Sequence, residues 1–179
     1  METIDYDKYR DACCYMSPRE LMEYVKEHKE RWGNINSEDI KQIEALFVND
    51  VYVLLNNGNV YMNGALILGN IKDLWCMNIK YMFFITIDNY IFTLEDNTFN
   101  DYIGGIQYRK IVKSRLDILA LTIDNRLKAL TSFPEFIGIV PENFIDVEDI
   151  TINGELGTPF IIKNNKKTPL YVSDYNESK

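Results

Sequence analysis

Apolar and polar positions along this chain fall into two regimes. In the first, Leu21, Val25, His28 and Trp32 recur at steps of four, three and four, the spacing of one face of an α-helix. Ser17 can cap that helix, Pro18 suits its first position, Glu20 at the third completes a capping box, and Gly33 supplies a stop. The pattern predicts a helix over 18–32, and a short helical stretch also fits Tyr6 to Tyr15. In the second regime, runs of β-branched and aromatic residues are separated by pairs of Asn, Asp and Gly, which reads as strands and tight turns. Residues 38–44 fit either regime: Ser37-Glu38-Asp39 can open a helix with Ile40, Ile43 and Phe47 inward, or Ile40 can open a strand.

The strand regime repeats itself. A shift of 31 residues lays Ile71-Lys72-Asp73-Leu74 over Ile40-Lys41-Gln42-Ile43, Met82-Phe83-Phe84-Ile85 over Val51-Tyr52-Val53-Leu54, and Ile91-Phe92 over Val60-Tyr61. At the centre of the two copies stand Asn57-Gly58 and Asp88-Asn89; Asp124-Asn125 and Asn164-Asn165 continue the series. A two-residue type I′ turn needs positive φ at both central residues, which these residue types adopt at low cost. Steps of 31, 36 and 40 residues from Gly58 to Asn89, Asn125 and Asn165 are those of an array of supersecondary units. Between the units, Glu95 to Tyr102 with Gly104-Gly105 reads as a polar loop, and Pro134 and Pro141 mark a crossing loop or an edge. Ile145-Asp146-Val147-Glu148 alternates apolar with acidic, as a short strand with one wet face does.

Tyr108-Arg109-Lys110-Ile111-Val112, followed by Leu119-Ala120-Leu121-Thr122-Ile123-Asp124-Asn125, resembles the repeat of the regulator-of-chromosome-condensation type of β-propeller, as does Ile71 to Leu94. The resemblance covers about residues 40–172. The family's turn glycine is kept only as Gly58, its Trp-Gly end survives at best as Asn63-Gly64, and its long inter-repeat loop is missing. The family is chiefly a scaffold for protein–protein contacts, so the resemblance implies a binding module. Four units are too few to close a ring of six or seven blades, which leaves an open curved sheet, a barrel-like closure or closure by oligomerisation.

Composition narrows the function classes. A hydrophobic fraction of 46% in 179 residues supports a packed core. A net charge of −8 disfavours direct binding to nucleic acid or to an anionic membrane, both of which call for a basic face. The opening Met1–Asp7 is acidic and lacks the apolar core of a secretory signal, and Tyr81 to Ile87 is a strand's length and no membrane span. Cys13 and Cys14 are adjacent and Cys76 stands apart; this odd set makes no disulfide framework and suits a reducing cytoplasm.

His28 is the single histidine, on the apolar helix face, where packing or a helix-end role suits it. The sequence carries no nucleophile elbow, phosphate loop or dinucleotide fingerprint, so no catalytic residue, metal ligand or cofactor is assigned. Trp32, Trp75, Phe83, Phe84 and Phe92 occupy core-type positions, whereas Tyr24, Tyr102 and Tyr108 are candidate contact residues. Glu142, Asp146, Glu148 and Asp149 are the candidate acidic contact residues.

These observations predict an α+β protein: an N-terminal helical segment over 1–36, then a mainly antiparallel β array of four propeller-like hairpin units over 37–179. The expected function is a non-catalytic protein–protein interaction module, an adaptor or inhibitor of a cytoplasmic partner, with homo-oligomerisation open. One alternative is an acidic nucleic-acid mimic that fills the basic DNA- or RNA-binding channel of a partner. Another is a hydrolase using carboxylates with a divalent cation.

Overall fold

A computed structural model describes residues 18–33, 35–46, 50–77, 81–95, 98–101, 105–113, 117–131, 145–153 and 159–170. Two compact units make up the protein. The first comprises residues 1–87 and 91–100, the second 88–90 and 101–179. Among the described residues the structure is mainly antiparallel β, in four small sheets, with few helices.

The first unit opens with helices α1 (Pro18–Glu27) and α2 (Lys29–Trp32). Leu21, Val25 and Trp32 are buried as their spacing requires. The expected single helix is broken at His28, whose backbone leaves the helical region at φ −108°, ψ 48°. Its Nδ1 lies 2.8 Å from the Tyr24 carbonyl, which also receives the His28 N–H at 3.2 Å. Imidazole and backbone thus share one acceptor, and a second short helix restarts from the His28 carbonyl, which accepts from Arg31 and Trp32 N–H at 3.0 Å. The proposed cap, Ser17, lies outside the described residues.

A turn of 3₁₀ helix, Ser37–Asp39, resolves the ambiguous segment, and strand begins at Ile40. The first sheet is a meander of β1 (Ile40–Leu46), β2 (Asp50–Leu55), β3 (Val60–Met62) and β4 (Ala65–Leu68), in that order. The second is β5 (Ile71–Met77), β6 (Tyr81–Thr86), β7 (Ile91–Glu95) and β8 (Thr98–Asp101). Strands β1 and β5, and β2 and β6, coincide in both bounds under the 31-residue shift. Even the register irregularities correspond, between Ile40 and Gln42 in one sheet and Ile71 and Asp73 in the other. Strand β8 corrects the reading of 95–102 as loop. Phe99 makes an edge contact with the buried Phe84 at 5.8 Å between ring centroids, which gives a polar segment one apolar anchor.

The helices and the first sheet share a core of Leu21, Tyr24, Val25, Trp32, Ile43, Val51 and Val53. The opposite face of that sheet packs on the second through Tyr52, Leu54, Val60, Ile71, Leu74, Met82 and Phe84. Gln42 pins the two sheets together: its Nε2 donates to Leu74 O at 2.8 Å and its Oε1 accepts from Leu74 N at 3.0 Å. Lys41 Nζ donates to Lys72 O at 2.6 Å, joining the same position of consecutive repeats.

In the second unit, β9 (Tyr108–Lys113), β10 (Asp117–Thr122) and β11 (Leu127–Thr131) form one sheet. Strands β12 (Asp149–Ile152), β13 (Pro159–Lys163) and β14 (Lys166–Pro169) form another. Leu119, Leu121, Leu127, Val147, Ile150, Ile161 and Leu170 close the core between them. The strand expected over 145–148 starts instead at Asp149, because Asp146 adopts φ 57° and ends any extended run before it. Pro134 and Pro141 lie outside the described residues.

The turns depart from expectation in an informative way. Only Asn164-Asn165 has positive φ at both residues, 52° and 60°, and forms the two-residue link between Lys163 and Lys166. At the other three turns only the second residue is left-handed: Gly58 at 89°, Asn89 at 66° and Asn125 at 63°. Gly58 N donates to Leu55 O at 3.0 Å and Leu55 N to Asn59 O at 2.9 Å; Thr122, Asn125 and Arg126 repeat the pattern at 3.1 and 2.9 Å. This is the three-residue turn with a left-handed third residue. The extra residue has a use: the carbonyls of Gly58, Asn89 and Asn125 accept the N–H groups of Ile71, Tyr108 and Val147 at 3.0, 2.9 and 2.9 Å. The first two turns therefore hold the first residue of the following sheet, Ile71 and Tyr108, and the third holds Val147, two residues before β12.

Candidate interaction surface

The turn 122–126 of the second unit is fixed from several sides. Thr122 is buried, and its hydroxyl donates to Asp124 Oδ1 at 2.6 Å while accepting from Arg126 N at 2.8 Å. Arg126 Nε lies 3.2 Å from Asp124 Oδ2. Arg109 spans the turn and the next repeat, with Nη2 donating to Asn125 Oδ1 at 2.9 Å and to Glu148 O at 2.8 Å. The Thr122 hydroxyl before any other influence, then Arg126 and Lys128, hold the Asp124 carboxyl below its ordinary range, so it stays ionised at neutral pH. On this frame Ile123 is 72% exposed. Single exposed aliphatic side chains are ordinary; Ile123 differs in projecting from a backbone held by side chains on both flanks. Ile145, 44% exposed, lies two residues before Val147, whose N–H bonds Asn125.

The same position recurs one repeat earlier. Thr86-Ile87-Asp88-Asn89 is identical to Thr122-Ile123-Asp124-Asn125, and Ile87 is 56% exposed. Reading the Asp-Asn pairs as turns missed the isoleucines. The available signal was the duplicated tetrapeptide, which puts a β-branched aliphatic where a turn tip favours polar residues.

The expected contact residues are distributed differently. Tyr24 and Tyr108, expected at the surface, are buried at 7% and 2% exposure. Tyr24 packs under the helix with its ring 4.2 Å from that of His28, and Tyr108 is the residue held by Asn89. Tyr102 and Glu142 lie outside the described residues. Asp146, Glu148 and Asp149 are brought together at the start of the last sheet, but two have internal work. Glu148 Oε1 accepts from Asn164 N at 2.7 Å, fixing the β13–β14 turn. Asp149 Oδ1 accepts from Lys110 Nζ at 2.7 Å and from Ile150 N at 2.9 Å. The Lys110 bond first, then that amide, hold the Asp149 carboxyl below its ordinary range. Asp146 is exposed.

Among the described residues no three of His, Cys, Asp and Glu group as metal ligands do, and no helix is long and apolar enough to cross a membrane. Cys13 and Cys14 fall outside those residues. Burial, first of all, pushes the Tyr52 phenol up, with Asp50 adding to it. A comparison with protein-family models finds no match, and a comparison with the curated proteins finds none either.

Proposed function

We propose that this protein is a non-catalytic protein–protein interaction module, an adaptor or inhibitor of a cytoplasmic partner, built from four propeller-like repeats. The observation that carries the reading is Ile123, an exposed aliphatic on a turn whose geometry is set before any partner arrives. Preorganisation removes an ordering cost of about 0.5–1.5 kcal/mol per immobilised side chain from association, and a central apolar anchor ringed by polar groups is how binding hot spots are built. Asp124 and Arg126 form such a ring on the turn itself.

The nucleic-acid-mimic reading has less behind it. A mimic needs carboxylates aimed outward, and Glu148 and Asp149 are engaged by Asn164 and Lys110. The hydrolase reading meets part of the same objection, since of Asp146, Glu148 and Asp149 only Asp146 is left without an internal bond among the described residues.

The test uses the full-length protein as bait in a native lysate beside an I123D variant, with equal folding checked by circular dichroism. Wild-type bait recovers a partner that I123D loses by about tenfold or more, and recovery changes little with ionic strength. Equal recovery by both baits removes the turn as the contact. No partner for either removes the module reading, and binding that collapses with salt transfers support to the mimic.

A further inference from the structure

Three Asn-Gly pairs occur in the sequence, at 57–58, 63–64 and 153–154, and Gly154 lies outside the described residues. The other two sit on turns of the first unit under opposite constraints. Asn63 is tied at both polar atoms of its side chain and at its backbone N–H. Its Oδ1 accepts from Val51 N at 3.0 Å, its Nδ2 donates to Asp50 Oδ1 at 2.9 Å, and its backbone N–H donates to Val51 O at 3.0 Å. Gly64 beside it is pressed against the helix end so closely that a Cβ there would stand 1.8 Å from Arg31 O. Neither residue of that pair has room to turn.

Asn57 is exposed at a turn tip, and its Nδ2 has no hydrogen-bond partner among the described residues. Its Oδ1 accepts one bond, from Asn59 N at 3.0 Å. That N–H is placed where negative charge develops on Oδ1 when a nucleophile adds to Cγ, and so favours the addition. Gly58, packed against Asn70 and Ile71, has no side chain of its own to hinder attack by its nitrogen. The Gly58 N–H bonds Leu55 O at 3.0 Å; Gly58 itself is buried, but the bond closes a turn whose other two residues, Asn56 and Asn57, are exposed, and such a turn opens more often than a core ladder.

We propose that Asn57 is a site of spontaneous deamidation, and that the modification loosens the junction between the first and second repeats. The Gly58 nitrogen gives its proton to solvent base and bonds to Asn57 Cγ. The bond from Cγ to Nδ2 then breaks, and Nδ2 leaves as ammonia with a proton from solvent. Water opens the resulting cyclic imide at either carbonyl, the ring nitrogen regains a proton, and an aspartyl or isoaspartyl residue remains. One water is consumed and one ammonia released, with no change of oxidation state. The isoaspartyl product lengthens the backbone by one carbon just before Gly58. It thereby displaces the Gly58 carbonyl from the Ile71 N–H it accepts at 3.0 Å. Ile71 is 2% exposed, so its N–H is left buried and unpaired.

Folded protein is held in mildly alkaline buffer beside a sample unfolded in urea, and both are followed by peptide mapping with isoaspartate detection. In the folded sample Asn57 converts at least about tenfold faster than Asn63, while in urea the two rates converge. Equal persistence of Asn57 and Asn63 in the folded protein overturns the site, and so does a difference that survives in urea. Hydrogen exchange on the aged sample tests the consequence: the Ile71 amide exchanges faster while that of Asn63 does not. Undiminished protection at Ile71 overturns the loosening.

Discussion

Gly58 combines a left-handed backbone, φ 89°, with a neighbour 3.3 Å from where a Cβ would stand, the Ile71 carbonyl. In G58A the left-handed conformation alone costs about 1–2 kcal/mol, and the Cβ crowds the residue that opens the next repeat. Equilibrium urea unfolding at neutral pH checks a loss of that size; G58N, which keeps the αL tolerance seen at Asn89 and Asn125, loses less. At Asp149 the expected effect is a pH dependence. Its folded carboxyl lies below the ordinary value of 3.8, so it stabilises the fold above that value and the contribution disappears as pH falls through the lower, folded one. The D149N variant is therefore less stable than wild type at neutral pH, and the gap closes in strong acid. Lys110 and Asp149 side chains are 41% and 43% exposed, so added salt narrows the gap too. Urea midpoints at neutral and acid pH, with and without salt, measure both.

At the scale of elements, the period of the apolar pattern made strands legible wherever both faces of a sheet are covered, as in β2, where Val51 to Leu54 are all buried. It failed at β8, whose Thr-Phe-Asn-Asp reads as loop but pairs with β7 and is anchored by an aromatic contact of Phe99. Turn positions were legible too, because Asn, Asp and Gly accept left-handed backbone. Turn type was not: the choice between two- and three-residue forms depends on whether a following repeat takes the free carbonyl. Gln42 shows how sheets are joined by more than apolar contact. Its amide pairs with both backbone groups of the fully buried Leu74; Asp73 Oδ1 also accepts from Leu74 N at 3.0 Å, so Q42A chiefly removes the side-chain donor to Leu74 O and costs about 1–3 kcal/mol. Q42E keeps the acceptor for Leu74 N but faces Leu74 O with no donor. Chemical denaturation, with hydrogen exchange at Leu74, separates the two variants.

For the molecule as a whole, two compact units with separate cores imply two unfolding events. Differential calorimetry resolves two transitions, Q42A lowering one and D149N the other; a single transition lowered alike by both variants contradicts this. The candidate surface was only half legible. Thr86-Ile87-Asp88-Asn89 and its copy at 122–125 stand in the sequence, yet their exposure does not, since an isoleucine beside strands reads as core. By itself the sequence determined that strands run through 51–54 and 82–85 and through 60–61 and 91–92, and which helix face is buried, because local propensity and period act over a few residues; it left 38–44 open, and the structure placed a strand start at Ile40. Only the tertiary structure decided that Tyr24 and Tyr108 are core, that Glu148 and Asp149 serve the fold, and that Ile123 stands free. Those outcomes rest on partners such as Lys110 and Asp149, 39 residues apart, whose meeting is fixed by how sheets stack and leaves no mark in local pattern.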